Sequence, residues 1–244
     1  MFNSPKLKYT NRKLFRDNRL TGNIEMFLKL FEKDEDLSKI FGEKDYEGNE
    51  LTAKSTEFPQ SSLFRYVEEK YKEKDTIMVC DDLGTEWADY IRIGEDSVVL
   101  FAAKHKERCF SASAFQEVVG QAQKNLWAFF PLESQWDGKK RKWEKQYKLH
   151  DVQTLINKVR TPGKTAKEAI DLWKKAEKNA NYKRKLYIVI DFLSKTELSR
   201  NLLKLKHSKP FPQKKEAIPM LWLISSLWTS CQELNIKLHI TCQK

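Results

Sequence analysis

The order of elements along the chain predicts an α/β protein in which helices flank a mixed central sheet. Two patterns carry this expectation. From Ser61 the sequence reads as a helix, three short strands joined by tight turns, and a second helix. After a polar stretch it returns to a strand, a helix, a long apolar helix and a last strand. Strands joined by tight turns pair antiparallel, whereas strands separated by helices are crossovers that pair in parallel. A chain with both kinds of connection builds a mixed sheet.

Each element has a local reason. Residues 1–60 read as an N-terminal helical and loop lobe. Its helix, about Gly22 to Phe41, follows the helical spacing of Ile24, Phe27, Leu28, Phe31, Leu37 and Ile40. Residues 61–244 read as the α/β domain. Ser61 or Ser62 caps a helix to about Lys74, with Leu63, Tyr66, Val67 and Tyr71 inward. Thr76 to Cys80, Glu86 to Ile93 and Ser97 to His105 are the three strands, separated by Asp81-Asp82-Leu83-Gly84 and Gly94-Glu95-Asp96. Ser111 and Ser113 open a helix to about Phe130. Residues 131–182 read as a helical, basic insertion, interrupted at Pro162-Gly163. Lys185 to Leu193 is a buried strand by its β-branched run, followed by helices near Thr196 to Leu205 and Ala217 to Glu233 and a strand from Ile236 to Thr241.

Composition narrows the class. The chain has 244 residues, is 40% hydrophobic and has seven Trp, enough to bury a large core. No apolar run reaches the ~20 residues needed to span a bilayer, and Met1 to Lys6 has no apolar leader character. The expectation is a cytoplasmic protein without a membrane partner. Cys80, Cys109, Cys231 and Cys242 are irregularly spaced and read as reduced thiols.

The net charge of +11 is unevenly distributed. Residues 1–20 are basic, whereas residues 32–50 hold eight acids against three lysines. Lys139, Lys140, Arg141, Lys142, Lys145 and Lys148 then stand against Glu144, interleaved with Trp143 and Tyr147. Such segregation favours a polyanionic partner, with lysine-rich solvated helix faces as the alternative.

Dinucleotide, phosphate-loop, hydrolase-elbow, zinc-protease and calcium-loop motifs are absent. What remains are charged residues in apolar settings. Asp89 interrupts Trp87-Ala88-Asp89-Tyr90-Ile91, and Lys104 sits near the end of the next strand, after Val98-Val99-Leu100-Phe101-Ala102-Ala103. Burying either charge is costly unless it is paired or metal-bound. A structural Asp89–Lys104 ion pair is one reading. On the next helix Glu117 and Gln121 are four apart and share a face.

The run from Ser61 to Phe130, with EWADYIRI, VVLFAAKHK and FQEVVGQAQKN, resembles the PD-(D/E)xK nuclease superfamily, in particular nuclease domains associated with prokaryotic helicases and phage defence. The resemblance implies a restriction-endonuclease-like αβββαβ core. It also implies a Mg²⁺- or Mn²⁺-dependent endonuclease acting on DNA, with a helicase or other defence protein as partner and a homodimer as one assembly. Residue by residue, Asp89 matches the strand aspartate, Lys104 the lysine and Gln121 the helix glutamine. Ala102 stands where the motif has an acid, so Glu117 is the expected replacement and second metal ligand beside Asp89. Glu68, in register with Phe64 and Tyr71, is a further contributor. Lys139, Lys140, Arg141, Lys142 and Lys145 would hold the DNA backbone; Trp136, Trp143 and Tyr147 are candidates to stack on exposed bases, with buried packing, the commoner fate of Trp, as the alternative. The alternative implied by Ala102 is a catalytically inactive DNA-binding or partner-docking module.

Overall fold

The computed structural model describes residues 7–10, 12–16 and 19–244; before Leu20 only the side chain of Arg12 is described. The other side chains of the basic run in residues 1–20 therefore lie outside the described residues. Strands β1 (Leu7–Thr10) and β2 (Lys13–Arg16) pair as a hairpin, followed by α1 (Arg19–Gly22), α2 (Ile24–Leu28) and β3 (Phe31–Lys33). Then come α3 (Leu63–Tyr71), β4 (Ile77–Cys80), β5 (Tyr90–Ile93), β6 (Ser97–Lys104) and α4 (Ala112–Lys124). The chain continues through α5 (Trp136–Trp143), β7 (Gln146–Leu149), β8 (Val152–Asn157) and α6 (Ala166–Glu177). It closes with β9 (Lys183–Ser194), α7 (Lys195–Lys206), α8 (Lys214–Glu233) and β10 (Ile236–Gln243).

Six strands form the central sheet in the order β3-β10-β9-β6-β5-β4. The meander β4-β5-β6 is antiparallel, and β6-β9, β9-β10 and β10-β3 are parallel. The α/β class and the mixed sheet are those the sequence predicts. Ser62 and Ser111 cap α3 and α4 as expected, accepting from the Arg65 and Ala114 N–H groups, and Ser194 caps α7 by accepting from Glu197. Thr165 and Glu168 form a reciprocal capping box on α6.

Strand alternation divides the core. One face buries Ile91, Val98, Leu100, Ile188, Ile190, Leu238 and Ile240 with residues of α4, α6, α7 and α8. The other buries Met78, Tyr90, Val99, Phe101 and Val189 with Phe64 and Val67 of α3 and with Tyr147 and Ile156 of the β7–β8 hairpin.

Three local expectations are revised. The helix expected over Gly22 to Phe41 is a short helix, a strand and a 3₁₀ turn (Asp36–Lys39). Phe31, which fits a helical face by spacing, lies instead on a strand that pairs with β10. The strand expected from Glu86 begins at Tyr90, because the preceding residues fold into a loop. The stretch 131–182, expected to be helical, holds α5 and α6 but also the β7–β8 hairpin. Its Gln146–Leu149 alternation of half-buried, buried and exposed side chains is a strand period embedded in lysines.

At the far end of β6, His105 Nδ1 bonds Asp191 Oδ2 of β9. That hydrogen bond raises the His105 pKa above its ordinary 6.5. The protonated pair thus contributes stability in full below 6.5 and loses it as the pH rises through the raised value. Thermal melts should show this decline in the wild type and a flatter profile in His105→Gln.

Candidate active site

The loop between β4 and β5 bends through two consecutive left-handed residues, Leu83 (φ 68°) and Gly84 (φ 76°). A leucine rarely takes that conformation, so the surrounding bonds must impose it. They do: Glu86 Oε2 accepts the Leu83 N–H at 3.1 Å and the Glu86 N–H bonds Gly84 O at 2.9 Å. The loop brings Asp82 and Glu86 back beside Asp89, and one carboxylate oxygen from each lies within 4.8 Å of the others.

Each acid is separately fixed. Asp89 Oδ2 accepts the Ala103 N–H at 2.7 Å, and the Asp89 N–H bonds Phe101 O at 3.0 Å. Since Tyr90 pairs with Phe101, that register places Asp89 opposite Ala102. Asp82 Oδ2 accepts from Tyr147 Oη at 2.6 Å and pairs with Lys44 Nζ at 2.8 Å. Glu86 Oε1 accepts from Gln121 Nε2 at 3.0 Å. Burial pushes the Asp89 carboxyl well above the usual carboxylate range; the charges of Asp82, Glu43 and Glu86 act in the same direction, and the Ala103 N–H opposes them.

A second loop completes the site. Glu43 Oε2 lies 3.2 Å from Lys104 Nζ and accepts the His105 N–H at 3.3 Å, while Lys44 reaches Asp82. Gly42 allows this approach, since a Cβ there would fall 2.0 Å from the Asp45 carbonyl oxygen. The sequence signal was present as an acidic stretch before residue 50, but its spacing did not indicate which acid turns inward.

Of the expected site residues, Asp89 belongs to this cluster, Gln121 bonds its Glu86, and Lys104 pairs with the neighbouring Glu43. The direct Asp89–Lys104 pair does not form, because Lys104 is bound to Glu43. Glu117 does not join: its side chain is 52% exposed and pairs with Lys106 Nζ at 2.6 Å. Lys106 holds its carboxyl below the usual range. Helical phase explains the correction, since Phe115, Val118 and Val119 take the buried face of α4. We expect Glu117→Ala to leave divalent-metal affinity and melting temperature unchanged by calorimetry and thermal melts. Glu68 is also occupied elsewhere, in a two-point ion pair with Arg160 (2.5 and 3.2 Å) and as acceptor from Tyr90 Oη at 2.9 Å.

The basic insertion is more differentiated than its sequence. Lys139 is 4% exposed, lies 2.5 Å from Asp81 Oδ2 and sits 4.3 Å from the Trp87 ring centroid. Burial lowers its pKa to about 8. It is therefore an internal cation and not a backbone contact. Lys142 bonds Asp81 O at 2.5 Å but reaches a cleft of about 950 Å³, lined also by Arg141, Lys145, Lys148 and Lys158 and by no acidic side chain. Lys140 is exposed and lies 3.9 Å from Glu144. Leu83, Gly84 and Thr85 of the acidic loop form the cleft's other wall. Trp136, Trp143 and Tyr147 are all buried, so they pack in the interior and are not base-stacking platforms.

The fold and site define an α/β protein whose mixed sheet carries a buried carboxylate cluster beside a cationic cleft. No protein-family model, curated protein or solved structure matches the chain. No helix among the described residues is long and apolar enough to cross a membrane.

Proposed function

We propose that the chain is a metal-dependent nuclease that hydrolyses DNA phosphodiester bonds, a variant of the PD-(D/E)xK type. The observation that carries this reading is the convergence of Asp82, Glu86 and Asp89 beside an acid-free cationic cleft, with Glu43, whose charge acts on Asp89, holding Lys104. The donor set suits a hard divalent cation: oxygen ligands only, with several negative charges crowded in a desolvated place. Asp82, Glu86 and Asp89 would hold Mg²⁺ or Mn²⁺, so the acid missing at position 102 is supplied by the β4–β5 loop. The ion would neutralise charge on the phosphate and acidify water.

The chain's own groups do the rest. Glu43 fixes the Lys104 ammonium, which donates to the attacked phosphate or to the water. Gln121 orients Glu86, and Lys44 and Tyr147 orient Asp82. Arg141, Lys142, Lys145 and Lys148 hold the backbone without reading sequence, while Lys158, buried like Lys139, is spent on the Asp82 carbonyl. A restriction or anti-phage setting, a helicase partner and a homodimer rest on the family resemblance.

The test is incubation with supercoiled plasmid and with single-stranded DNA in Mg²⁺, with EDTA as control. Cleavage should require metal and fall by roughly 10²–10³-fold in Lys104→Ala. Undiminished cleavage by that variant would remove Lys104 from the mechanism. Salt-sensitive DNA binding without any cleavage would favour the inactive-module alternative.

A further inference from the structure

Two cavities flank the acidic loop, and Gly84, Thr85, Gly138 and Arg141 line both. The cationic cleft has no aromatic lining residue. The second cavity, about 680 Å³, has a different chemistry. It contains Glu86 of the carboxylate cluster, Lys124 and Arg141, the polar side chains Asn125 and Gln135, and Trp127. Asp137 is its other acid. Its volume lies within the range of small-molecule and nucleotide pockets.

Trp127 is 46% exposed, whereas Trp87, Trp136, Trp143 and Trp173 are buried. It stands on a 3₁₀ turn (Leu126–Phe129) whose other three side chains are buried, and it meets Trp87 edge to face at 6.2 Å and 81°. The indole, anchored against Trp87, thus lines a polar pocket that contains a metal-ligand candidate. A large aromatic surface left in water at such a place suits a flat π-system.

We propose that this pocket receives an unstacked nucleobase of the substrate, lying on Trp127, while the adjoining phosphate faces the carboxylate cluster and the rest of the backbone follows Arg141 into the cationic cleft. This deepens and rests on the nuclease reading by naming the substrate: a strand whose base beside the scissile phosphate is free of its stack. Single strands, gaps and frayed ends meet that condition, and a fully paired duplex does not.

The experiment compares a short oligothymidylate with a chain of the same length carrying abasic sugars, which keeps every phosphate and removes every base. Binding to the full chain is read with Ca²⁺ and again with EDTA, by anisotropy and by tryptophan quenching. Wild type should bind the oligothymidylate roughly 5- to 100-fold more tightly than the abasic chain. Trp127→Ala should abolish that preference, and Trp127→Phe should keep most of it. Equal binding of the two chains by wild type, or a preference that survives in Trp127→Ala, would overturn the proposal. The wild-type comparison stands even if the alanine variant fails to fold. Base-dependent binding in a protein that leaves plasmid and oligonucleotide uncut with Mg²⁺ would support the pocket and defeat the nuclease reading. Cleavage with base-independent binding would do the reverse.

Discussion

Asp89→Asn is expected to abolish metal-dependent cleavage while leaving the folded protein at least as stable as the wild type. The two effects have one source. Asp89 is 4% exposed, and its charge is opposed by burial and by the neighbouring Asp82, Glu43 and Glu86. A carboxyl whose folded pKa is raised above 3.8 is destabilising once the pH exceeds that value, with ~1.4 kcal/mol for each unit of elevation. Asparagine keeps an acceptor for the Ala103 N–H and removes the charge. The metal-free variant should therefore melt at the wild-type temperature or above it, with ~2–4 °C per kcal/mol for a chain of this size. The same loss of charge removes the central ligand of the proposed cation site. Several kilocalories of transition-state stabilisation disappear with it, a fall of ~10³-fold or more in cleavage rate. Mg²⁺ should raise the wild-type melting temperature and leave that of the variant unchanged. A variant that melts lower and still cleaves would contradict both halves.

The second large effect is expected at Asp81, which adjoins the cluster but does not belong to it. Its buried carboxylate accepts the Trp87 N–H at 2.7 Å and Trp143 Nε1–H at 2.8 Å, and pairs with Lys139 at 2.5 Å and Lys142 at 3.1 Å. It ties α5 to the loop that carries Asp82 and Glu86. Asp81→Ala would leave the Lys139 ammonium buried without its partner, and breaking such a pair from one side costs ~3–5 kcal/mol. At ~2–4 °C per kcal/mol the melting temperature should fall by roughly 6–20 °C. Replacing the pair together, as Asp81→Leu with Lys139→Met, should recover part of that loss, because the buried Lys139 charge is no longer stranded and only the less buried Lys142 loses its partner. Equal destabilisation by the single and double variants would show that the hydrogen bonds to Trp87 and Trp143 matter more than the ion pair.

Sequence periodicity revealed the sheet because most strands and helices bury one clear stripe. The β6 run Ser97–Lys104 and the β9 run Lys183–Ser194 are long, apolar and bounded by polar turns. The β7–β8 hairpin was missed because its buried residues, Tyr147, Leu149 and Ile156, are separated by lysines and glutamines that resemble a solvated helix. Asp89 and Lys104 were legible as charges in apolar strands. Asp82 and Glu86 were not, since turn sequences are ordinarily rich in acids and only the left-handed bend at Leu83-Gly84 points this pair inward. Glu43 and Lys44 reach the site through a contact across the chain, with Gly42 bridging to Ser62. Local spacing has no access to such contacts. The basic run after Gly138 illustrates the same limit, because adjacent lysines separate into the buried Lys139 and the exposed Lys140 according to helical phase alone.

Calorimetric titration of Mn²⁺ into metal-free wild type, Asp89→Asn and Glu117→Ala tests most directly whether the loop carboxylates form the metal site. Binding to the wild type and to Glu117→Ala with the same affinity, and its loss in Asp89→Asn, is the predicted result. Retention of the site in Asp89→Asn, or its loss in Glu117→Ala, would contradict the assignment of the metal to Asp82, Glu86 and Asp89.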